Sequence, residues 1–192
     1  FIGDNGTDVS TTSGLCIDNM YITINGRGKG TVYESGARVA LAIRGPGIAH
    51  GSRSNEFVHA ADIFATILTM AGLTPPTTNR DNNNNVVDSD SKSLTPILFG
   101  SASTVRDPNE GYILTETNYN GMKVGARNAT YKVVCATSAS NCTFFNLVDD
   151  PLEEYPLSKP GSCADYRTAY TTANPEWHYC RLIEVVTSYS IF

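Results

Sequence analysis

The pattern of apolar and polar positions changes about halfway along the chain. In the first half, Arg38–Arg44 is a short apolar run bounded by charges, which is typical of a buried strand. Ala61–Ala71 carries apolar residues at helical spacing, and Gly72 follows as a stop signal, so this segment predicts a helix. Thr77–Ser91 is polar and asparagine-rich and predicts a solvated loop. Ser93–Phe99 predicts a further short helix or turn.

After Gly100 the pattern becomes short β-type runs followed by one helical segment. Four strands of an antiparallel meander are predicted, at Tyr112–Glu116, Met122–Ala126, Tyr131–Cys135 and Thr143–Leu147. From Pro175 onward the apolar residues return to near-helical spacing and predict a terminal helix. We therefore expect residues 1–100 to belong to an α/β domain, and residues 101–192 to form a smaller α+β lobe with an antiparallel sheet and a terminal helix.

Composition and charge exclude some classes of partner. The 192 residues are 41% apolar, which is enough for a globular core. Charged residues make up 17% and the net charge is -5, so no polybasic surface predicts binding to nucleic acid or to an anionic membrane. No window has the length and hydrophobicity of a membrane span.

The cysteines suggest an oxidising compartment. Four of the five form two local pairs, which predict the disulfides Cys135–Cys142 and Cys163–Cys180. Cys16 is left over, and we expect its partner in an N-terminal segment that precedes this chain.

Three sequons of the form Asn-x-Thr begin at Asn5, Asn128 and Asn141. The last two agree with that compartment and are predicted to be glycosylated, whereas Asn5, as a metal ligand, would be buried and unglycosylated. Together with the cysteines they predict a secreted or extracellular glycoprotein, or one in an oxidising lumen.

Asp4 and Asn5 are candidate metal ligands. They follow the apolar Phe1-Ile2 pair, which reads as the tail of a strand that began earlier, and α/β sheets place ligand sites at strand ends. A carboxylate and a carboxamide offer the hard oxygen ligands that calcium or magnesium requires. The sequence Asp-Asn-Gly is also common in ordinary turns, so this reading stays open on these residues alone.

Lys29 is a candidate anion contact. It lies between Gly28 and Gly30, which allow close backbone approach, and its compact ammonium suits a sulfate or phosphate oxygen. The spacing around it is not that of a P-loop. Glu34 and Arg38 are four residues apart and are predicted to pair and hold this loop.

No other residues form a recognisable catalytic pattern. The histidines, at positions 50, 59 and 178, are scattered and lack zinc-site spacing. No G-x-S-x-G motif identifies a serine nucleophile.

Several of these segments together resemble the C-terminal signature of the sulfatase family, whose fold is alkaline-phosphatase-like. Gly3–Gly6 resembles its S-D-N-G motif and Gly28–Val39 its G-K-G-T-x-Y-E-G-G-x-R-V motif. The likeness extends over nearly the whole chain, through Arg44–Gly47, Val58–Leu73, Asp90–Gly100, Arg127–Val133 and Phe145–Glu154. Ser35 and Ala40 depart from the usual glycine and proline.

The resemblance implies a division of roles. Asp4 and Asn5 would bind the active-site Ca²⁺, or Mg²⁺ in its place, and Lys29 would contact the sulfate group. The family's nucleophile is a formylglycine made within a C-x-P-x-R motif, which is not found in these residues. We therefore expect the chain to be the C-terminal portion of a sulfuric ester hydrolase, inactive alone, whose nucleophile lies upstream and whose substrate is a sulfated aryl or carbohydrate ester.

Two other functions are compatible with the sequence. A phosphatase or phosphodiesterase relative would use the same fold with two metal ions. A non-catalytic relative would keep the fold for extracellular assembly or carbohydrate binding. The substrate, the oligomeric state and the role of the Asn79–Asn85 segment are not predicted.

Overall fold

A computed structural model describes residues 1–3, 15–17, 20–22, 27–80, 84–118, 121–136 and 138–188. The chain divides into two compact units, the first of which combines Phe1–Ile43 with Leu114–Phe192, while the second is Arg44–Ile113. These boundaries differ from the predicted one near residue 100, because the first unit takes residues from both ends of the chain.

The structure contains short strands and mostly short helices. The strands are β1 (Leu15–Ile17), β2 (Met20–Ile22), β3 (Thr78–Arg80), β4 (Val86–Asp88), β5 (Ile113–Thr117), β6 (Lys123–Arg127), β7 (Tyr131–Ala136) and β8 (Cys142–Asn146). The helices are α1 (Glu34–Ala37), α2 (Asp62–Met70), α3 (Thr95–Leu98), α4 (Tyr166–Ala169) and α5 (Pro175–Ser188).

The predicted antiparallel meander is confirmed. Its four strands lie in the order β5-β6-β7-β8, and each begins and ends within one residue of its predicted bounds. The register places Lys132 opposite Arg127 on one side and opposite Phe145 on the other. Because side chains alternate along a strand, Lys132, Val134, Gly125, Arg127 and Phe145 share one face of the sheet.

The other face of the sheet packs against the terminal helix, as predicted. α5 contacts β6 and β7. Phe144 lies edge-on to Tyr179 of the helix at 5.3 Å between ring centroids, and Tyr131 stacks on His178 at 4.5 Å. Leu182 and its apolar neighbours on the helix are buried there. These contacts form the core of the first unit.

The helix predicted at Ala61–Ala71 is confirmed as α2, but the face that it buries is not the one expected. The predicted apolar stripe included Phe64 and Ile67, which are 54% and 61% exposed. The buried residues are Asp62, Ala65 and Thr66. The polar side chains can be buried because each is hydrogen-bonded, Asp62 to Arg106 and Thr66 to the backbone N–H of Leu94. Helix α3 confirms the short helix predicted at Ser93–Phe99.

The strand predicted at Arg38–Arg44 is only partly formed. Leu41 makes a single antiparallel bridge with Ile2, and its neighbours alternate between half-buried and exposed. In the described part of residues 1–100, every strand pairing is antiparallel. The fold is therefore mixed α and β with antiparallel sheets, and the α/β prediction is confirmed in that coarse form only.

The asparagine-rich segment is a surface hairpin rather than a loop. β3 and β4 pair antiparallel, with Asn79 opposite Val87, and every residue of both strands is exposed. The prediction of a solvated excursion was correct, but its backbone is more regular than expected.

Candidate functional site

The predicted metal ligands Asp4 and Asn5 lie outside the described residues. The structure describes the chain up to Gly3, whose N–H donates to the carbonyl oxygen of Ala40 over 2.8 Å. In the part of the chain that the structure describes, no three His, Cys, Asp or Glu side chains are grouped as a metal site. The metal site predicted at Asp4 and Asn5 therefore stays a prediction; a carboxylate and a carboxamide are oxygen donors of the kind that a hard cation takes.

Lys29 lies at the tip of a tight turn. The N–H of Thr31 donates to the carbonyl oxygen of Gly28 over 3.1 Å, and the Thr31 hydroxyl lies 2.7 Å from the Gly28 and Arg27 carbonyl oxygens. Gly30 adopts a positive φ of 85°, a conformation that favours glycine. Lys29 is exposed, and among the described residues it has no hydrogen-bond or ion-pair partner. Its ammonium is therefore presented by an ordered backbone.

Gly36, in α1, allows this helix to pack closely against the Lys29 turn. A Cβ at this position would collide with the carbonyl oxygen of Gly28 and would lie 2.6 Å from two oxygen atoms of Thr31. Since backbone oxygens cannot move away as a flexible side chain would, helix α1 can pack this closely against the turn only if residue 36 is glycine. Ser35, which departs from the family pattern, does not occupy this position.

The carboxylate of Glu34 joins the turn to the sheet. Its Oε2 lies 2.5 Å from an Arg127 guanidinium nitrogen, and its Oε1 lies 2.9 Å from the Lys132 ammonium. Glu34 and Arg38 do not form the predicted direct ion pair, because Glu34 turns inward to these two cations and Arg38 is exposed, although the Arg38 charge also lowers the pKa of Glu34. Both partners lie about a hundred residues later in the sequence.

A second carboxylate completes this cluster from the opposite side. Glu153 Oε2 accepts the backbone N–H of Glu34 over 2.6 Å, and its Oε1 lies 3.1 Å from the Lys132 ammonium. Lys132 is 2% exposed and Glu153 is 1% exposed. We call Glu34, Arg127, Lys132 and Glu153 the buried charge cluster.

Burial raises the pKa of both carboxylates and the nearby cations lower it, and the balance differs between Glu34 and Glu153. Burial opposes ionisation of Glu34, but the charges of Lys132 and Arg127 outweigh it and hold its pKa below the usual range. For Glu153, burial dominates over the attraction of Lys132 and raises its pKa. The cluster therefore has one firmly ionised carboxylate and one whose charge depends on Lys132.

The turn also packs on the sheet through apolar contacts. Val32 is buried against Val134 and Phe145, and Tyr33 meets Phe145 edge-on at 6.3 Å. Gly125 makes this approach possible, because a Cβ there would lie 3.1 Å from the Val32 carbonyl oxygen. The structure thus unites residues of three separate sequence motifs, those around Lys29, Arg127 and Glu153.

The second unit contains a different buried ion pair. The two guanidinium nitrogens of Arg106 each lie 2.7 Å from one carboxylate oxygen of Asp62. The same carboxylate accepts backbone N–H groups of His59 and Lys92. It therefore joins the start of α2 to the segment before α3, and its saturated bonding indicates a structural role. A nearby cleft of about 270 Å³ has Asp90 among its lining residues and includes none of the predicted site residues.

The contacts of His59 and His178 indicate that these two histidines have structural roles. His59 Nδ1 accepts the N–H of Ala61 over 3.2 Å. His178 is buried, with its two ring nitrogens 2.9 Å from the Asn128 side-chain amide and from the Thr172 carbonyl oxygen. Burial lowers the pKa of His178, so the ring is neutral at pH 7.

Both predicted disulfides are confirmed. Cys135 and Cys142 are opposite each other in the β7–β8 register and are bonded, and Cys163 is bonded to Cys180 of α5. Cys16 is in β1, whose side chains are not among those described, so its predicted partner stays a prediction.

The two sequons predicted to carry glycans differ in the exposure of their asparagines. Asn141 is exposed in the turn between β7 and β8, where a glycan can be attached. Asn128 is 0% exposed, and its side chain bonds His178 and accepts the backbone N–H groups of Thr130 and Tyr131. The glycosylation predicted at Asn128 is contradicted, because a glycan on this amide would require the core to open.

None of the described helices has the length and apolar character needed to cross a membrane.

Comparison with known proteins shows which fold the chain has. No family model matches the chain, and no curated protein matches its sequence. Its structure is similar to BT1596, a 2-O GAG sulfatase, with a TM-score of 0.57 and 17% identity over 90% of this chain and 34% of that one. It is also similar to a proposed sulfatase from Bacteroides thetaiotaomicron VPI-5482, with a TM-score of 0.51 and 16% identity over 90% of this chain and 31% of that one. The chain thus spans about a third of these proteins, and over that third it has the fold of a sulfatase, as its sequence motifs predicted.

Proposed function

We propose that this chain is the C-terminal portion of a sulfatase that hydrolyses sulfate esters, and that Lys29 contacts the sulfate group. The observation that carries the proposal is the Lys29 turn. Its backbone is fixed by hydrogen bonds from Thr31 to the Gly28 and Arg27 carbonyl oxygens and by the close packing of Gly36, and its cation is exposed, without a partner among the described residues. The structural likeness to sulfatases supports the same reaction class.

In this proposal the chain supplies charge stabilisation rather than the attacking group. The Lys29 ammonium would donate to a sulfate oxygen, where negative charge is concentrated as the ester bond breaks. Asp4 and Asn5 would hold Ca²⁺, or Mg²⁺, which when bound neutralises charge on the same group. The resemblance assigns the attack to a formylglycine outside residues 1–192.

A sulfate-release assay on the longer polypeptide that contains this chain tests the proposal. We expect release from 4-methylumbelliferyl sulfate, or from a 2-O-sulfated GAG fragment in view of the similarity to BT1596. Lys29→Ala should lower kcat/KM by about 100-fold, in the range found when one charge-stabilising donor is removed. Lys92→Ala, at another exposed lysine, is the matched control and should have no effect.

The outcomes separate this function from the alternatives. Release of phosphate but not sulfate would favour a phosphatase or phosphodiesterase. Binding of inorganic sulfate without turnover of any ester would favour a non-catalytic carbohydrate-binding relative. Unchanged sulfate release by Lys29→Ala would remove the assigned role of this residue.

We further propose a secreted or oxidising location, with one glycan at Asn141. The two disulfides are compatible with it. In a eukaryotic secretory host, enzymatic deglycosylation should lower the mass of the chain, and Asn141→Gln should abolish that shift. Asn128→Gln should leave the shift unchanged. Cys16 is proposed to bond a cysteine outside this chain, which non-reducing electrophoresis of the longer protein would reveal.

A further inference from the structure

Two consecutive residues, Leu152 and Glu153, contact both flanks of the Lys29 turn. On the first flank, an Arg27 guanidinium nitrogen donates to the Leu152 carbonyl oxygen over 3.2 Å. On the second, the backbone N–H of Glu34 donates to Glu153 Oε2 over 2.6 Å. The segment that carries Lys29 is therefore fixed at both ends by one short stretch of chain.

The backbone at Glu153 is in a strained conformation, which it shares with Asn84 and Asp165. Glu153 has a positive φ of 60°, and residues other than glycine rarely adopt this conformation. Such strain persists where the surrounding contacts impose it, and it concentrates at functional sites. Glycine would relieve the strain but would lose the carboxylate that receives the Glu34 N–H. The side chain and the strained backbone thus serve the same contact.

The charges at this place are also an inefficient way to stabilise a sheet. Lys132 and Glu153 are almost fully buried, and apolar side chains of similar size are often as stabilising as a buried ion pair. What the ion pair adds is direction, because Glu153 Oε1 faces the Lys132 ammonium at 3.1 Å, by charge attraction rather than by a hydrogen bond, while Oε2 points at the turn. The pair therefore fixes the orientation of the carboxylate that contacts the turn.

We infer that Glu153 is a positioning residue, which holds the flanks of the Lys29 turn through the Lys132 ion pair and so sets where the Lys29 ammonium meets a sulfate ester. This inference rests on the proposed function. Glu153 itself touches no substrate, so its effect must pass through Lys29.

A double-mutant cycle tests that dependence in the longer, active polypeptide. Glu153→Gln keeps the size of the side chain, but its single acceptor oxygen cannot serve both the Lys132 ammonium and the Glu34 N–H. We expect kcat/KM for 4-methylumbelliferyl sulfate to fall about 10- to 100-fold, as for a small displacement of a group that binds the reacting centre. Combined with Lys29→Ala, it should lower kcat/KM by less than about threefold beyond Lys29→Ala alone.

Controls separate positioning from a general loss of stability. Glu184→Gln removes an exposed carboxylate on α5 and should leave kcat/KM unchanged. Glu153→Asp, which keeps the charge but shortens the reach, should give an intermediate loss and provides a second variant if Glu153→Gln does not fold. Calorimetric binding of inorganic sulfate should weaken in Glu153→Gln and should be no weaker in the double variant than in Lys29→Ala alone.

The possible results distinguish the role of Glu153 from that of Lys29. Multiplicative losses in the double variant, or wild-type kinetics in both Glu153 variants, would overturn the positioning role while leaving the role of Lys29 intact. Full activity of Lys29→Ala would overturn the proposed role of Lys29 and, with it, this inference.

Discussion

Removal of the Lys132 charge should destabilise the first unit by an amount that depends on pH. In Lys132→Met the apolar stem is nearly preserved, but Glu153 keeps only the Glu34 N–H as a partner and Glu34 keeps Arg127. Breaking a buried pair in this way typically costs about 3–5 kcal/mol. Glu153 can avoid part of that cost by binding a proton.

Protonation sets an upper limit on the electrostatic part of the loss. A free glutamate has a pKa of about 4.3, and each pH unit above it corresponds to about 1.4 kcal/mol, so protonating Glu153 at pH 7 costs about 3.7 kcal/mol. At pH 5 the same step costs only about 1 kcal/mol. Because burial already raises the pKa of Glu153 in the wild type, these costs are ceilings, and we expect the variant to lose less than about 3.7 kcal/mol at pH 7 and less than about 1 kcal/mol at pH 5.

Urea denaturation followed by tryptophan emission measures this loss in the first structural unit, which contains the buried charge cluster. Trp177 is the single tryptophan of the 192 residues, and it is buried in α5 of the same unit. Lys29→Met, at the exposed lysine of this unit that has no partner among the described residues, is the matched control and should cost less than about 1 kcal/mol. A loss at pH 7 below about 1 kcal/mol, or one that does not change between pH 7 and pH 5, would refute the reasoning.

Three further predictions concern the backbone and the core. Gly36→Ala should disturb the Lys29 turn, because the new Cβ meets a carbonyl oxygen, and should weaken calorimetric sulfate binding at least tenfold, whereas Gly161→Ala, which meets no atom, should not. Replacing Cys163 and Cys180 by serine should lower the free energy of unfolding by about 3 kcal/mol in urea titrations, as expected for their 17-residue separation; an unchanged midpoint would contradict this. His178 has a pKa lowered by burial, so its contribution to stability is complete above about pH 6.5 and is lost as the pH falls through its folded pKa. His178→Gln should therefore flatten the pH dependence of the urea midpoint below pH 6.5, and an identical profile would argue against this origin.

Local patterns predicted the β-meander and α5 well, since their alternation and spacing are encoded within each segment. The partners of Glu34 could not be found in this way. Arg38 is four residues away and satisfied every local rule, whereas Arg127 is 93 residues away and Glu153 is 119. Side chains so distant in sequence are brought together only by the register of the sheet and the path of the turn.

The prediction of which face of α2 is buried was wrong for a related reason. A hydrophobic stripe predicts a buried face only if polar residues elsewhere on the helix remain solvated. Asp62 violates that condition because Arg106, 44 residues later, neutralises it with two hydrogen bonds. The motif around Lys29 was recognised from its glycines, but their physical reason, the close approach of Gly36 to Gly28, becomes evident only in three dimensions.

The discontinuity of the first unit also has a consequence for synthesis. The Lys29 turn is translated before Arg127, Lys132 and Glu153, which hold it and which follow only after the whole of residues 44–113. A nascent chain therefore carries this turn, without the contacts that order it, until Glu153 has been added. Any change that stops translation before Glu153 would leave the turn unanchored, even though every residue that contacts it locally is already present.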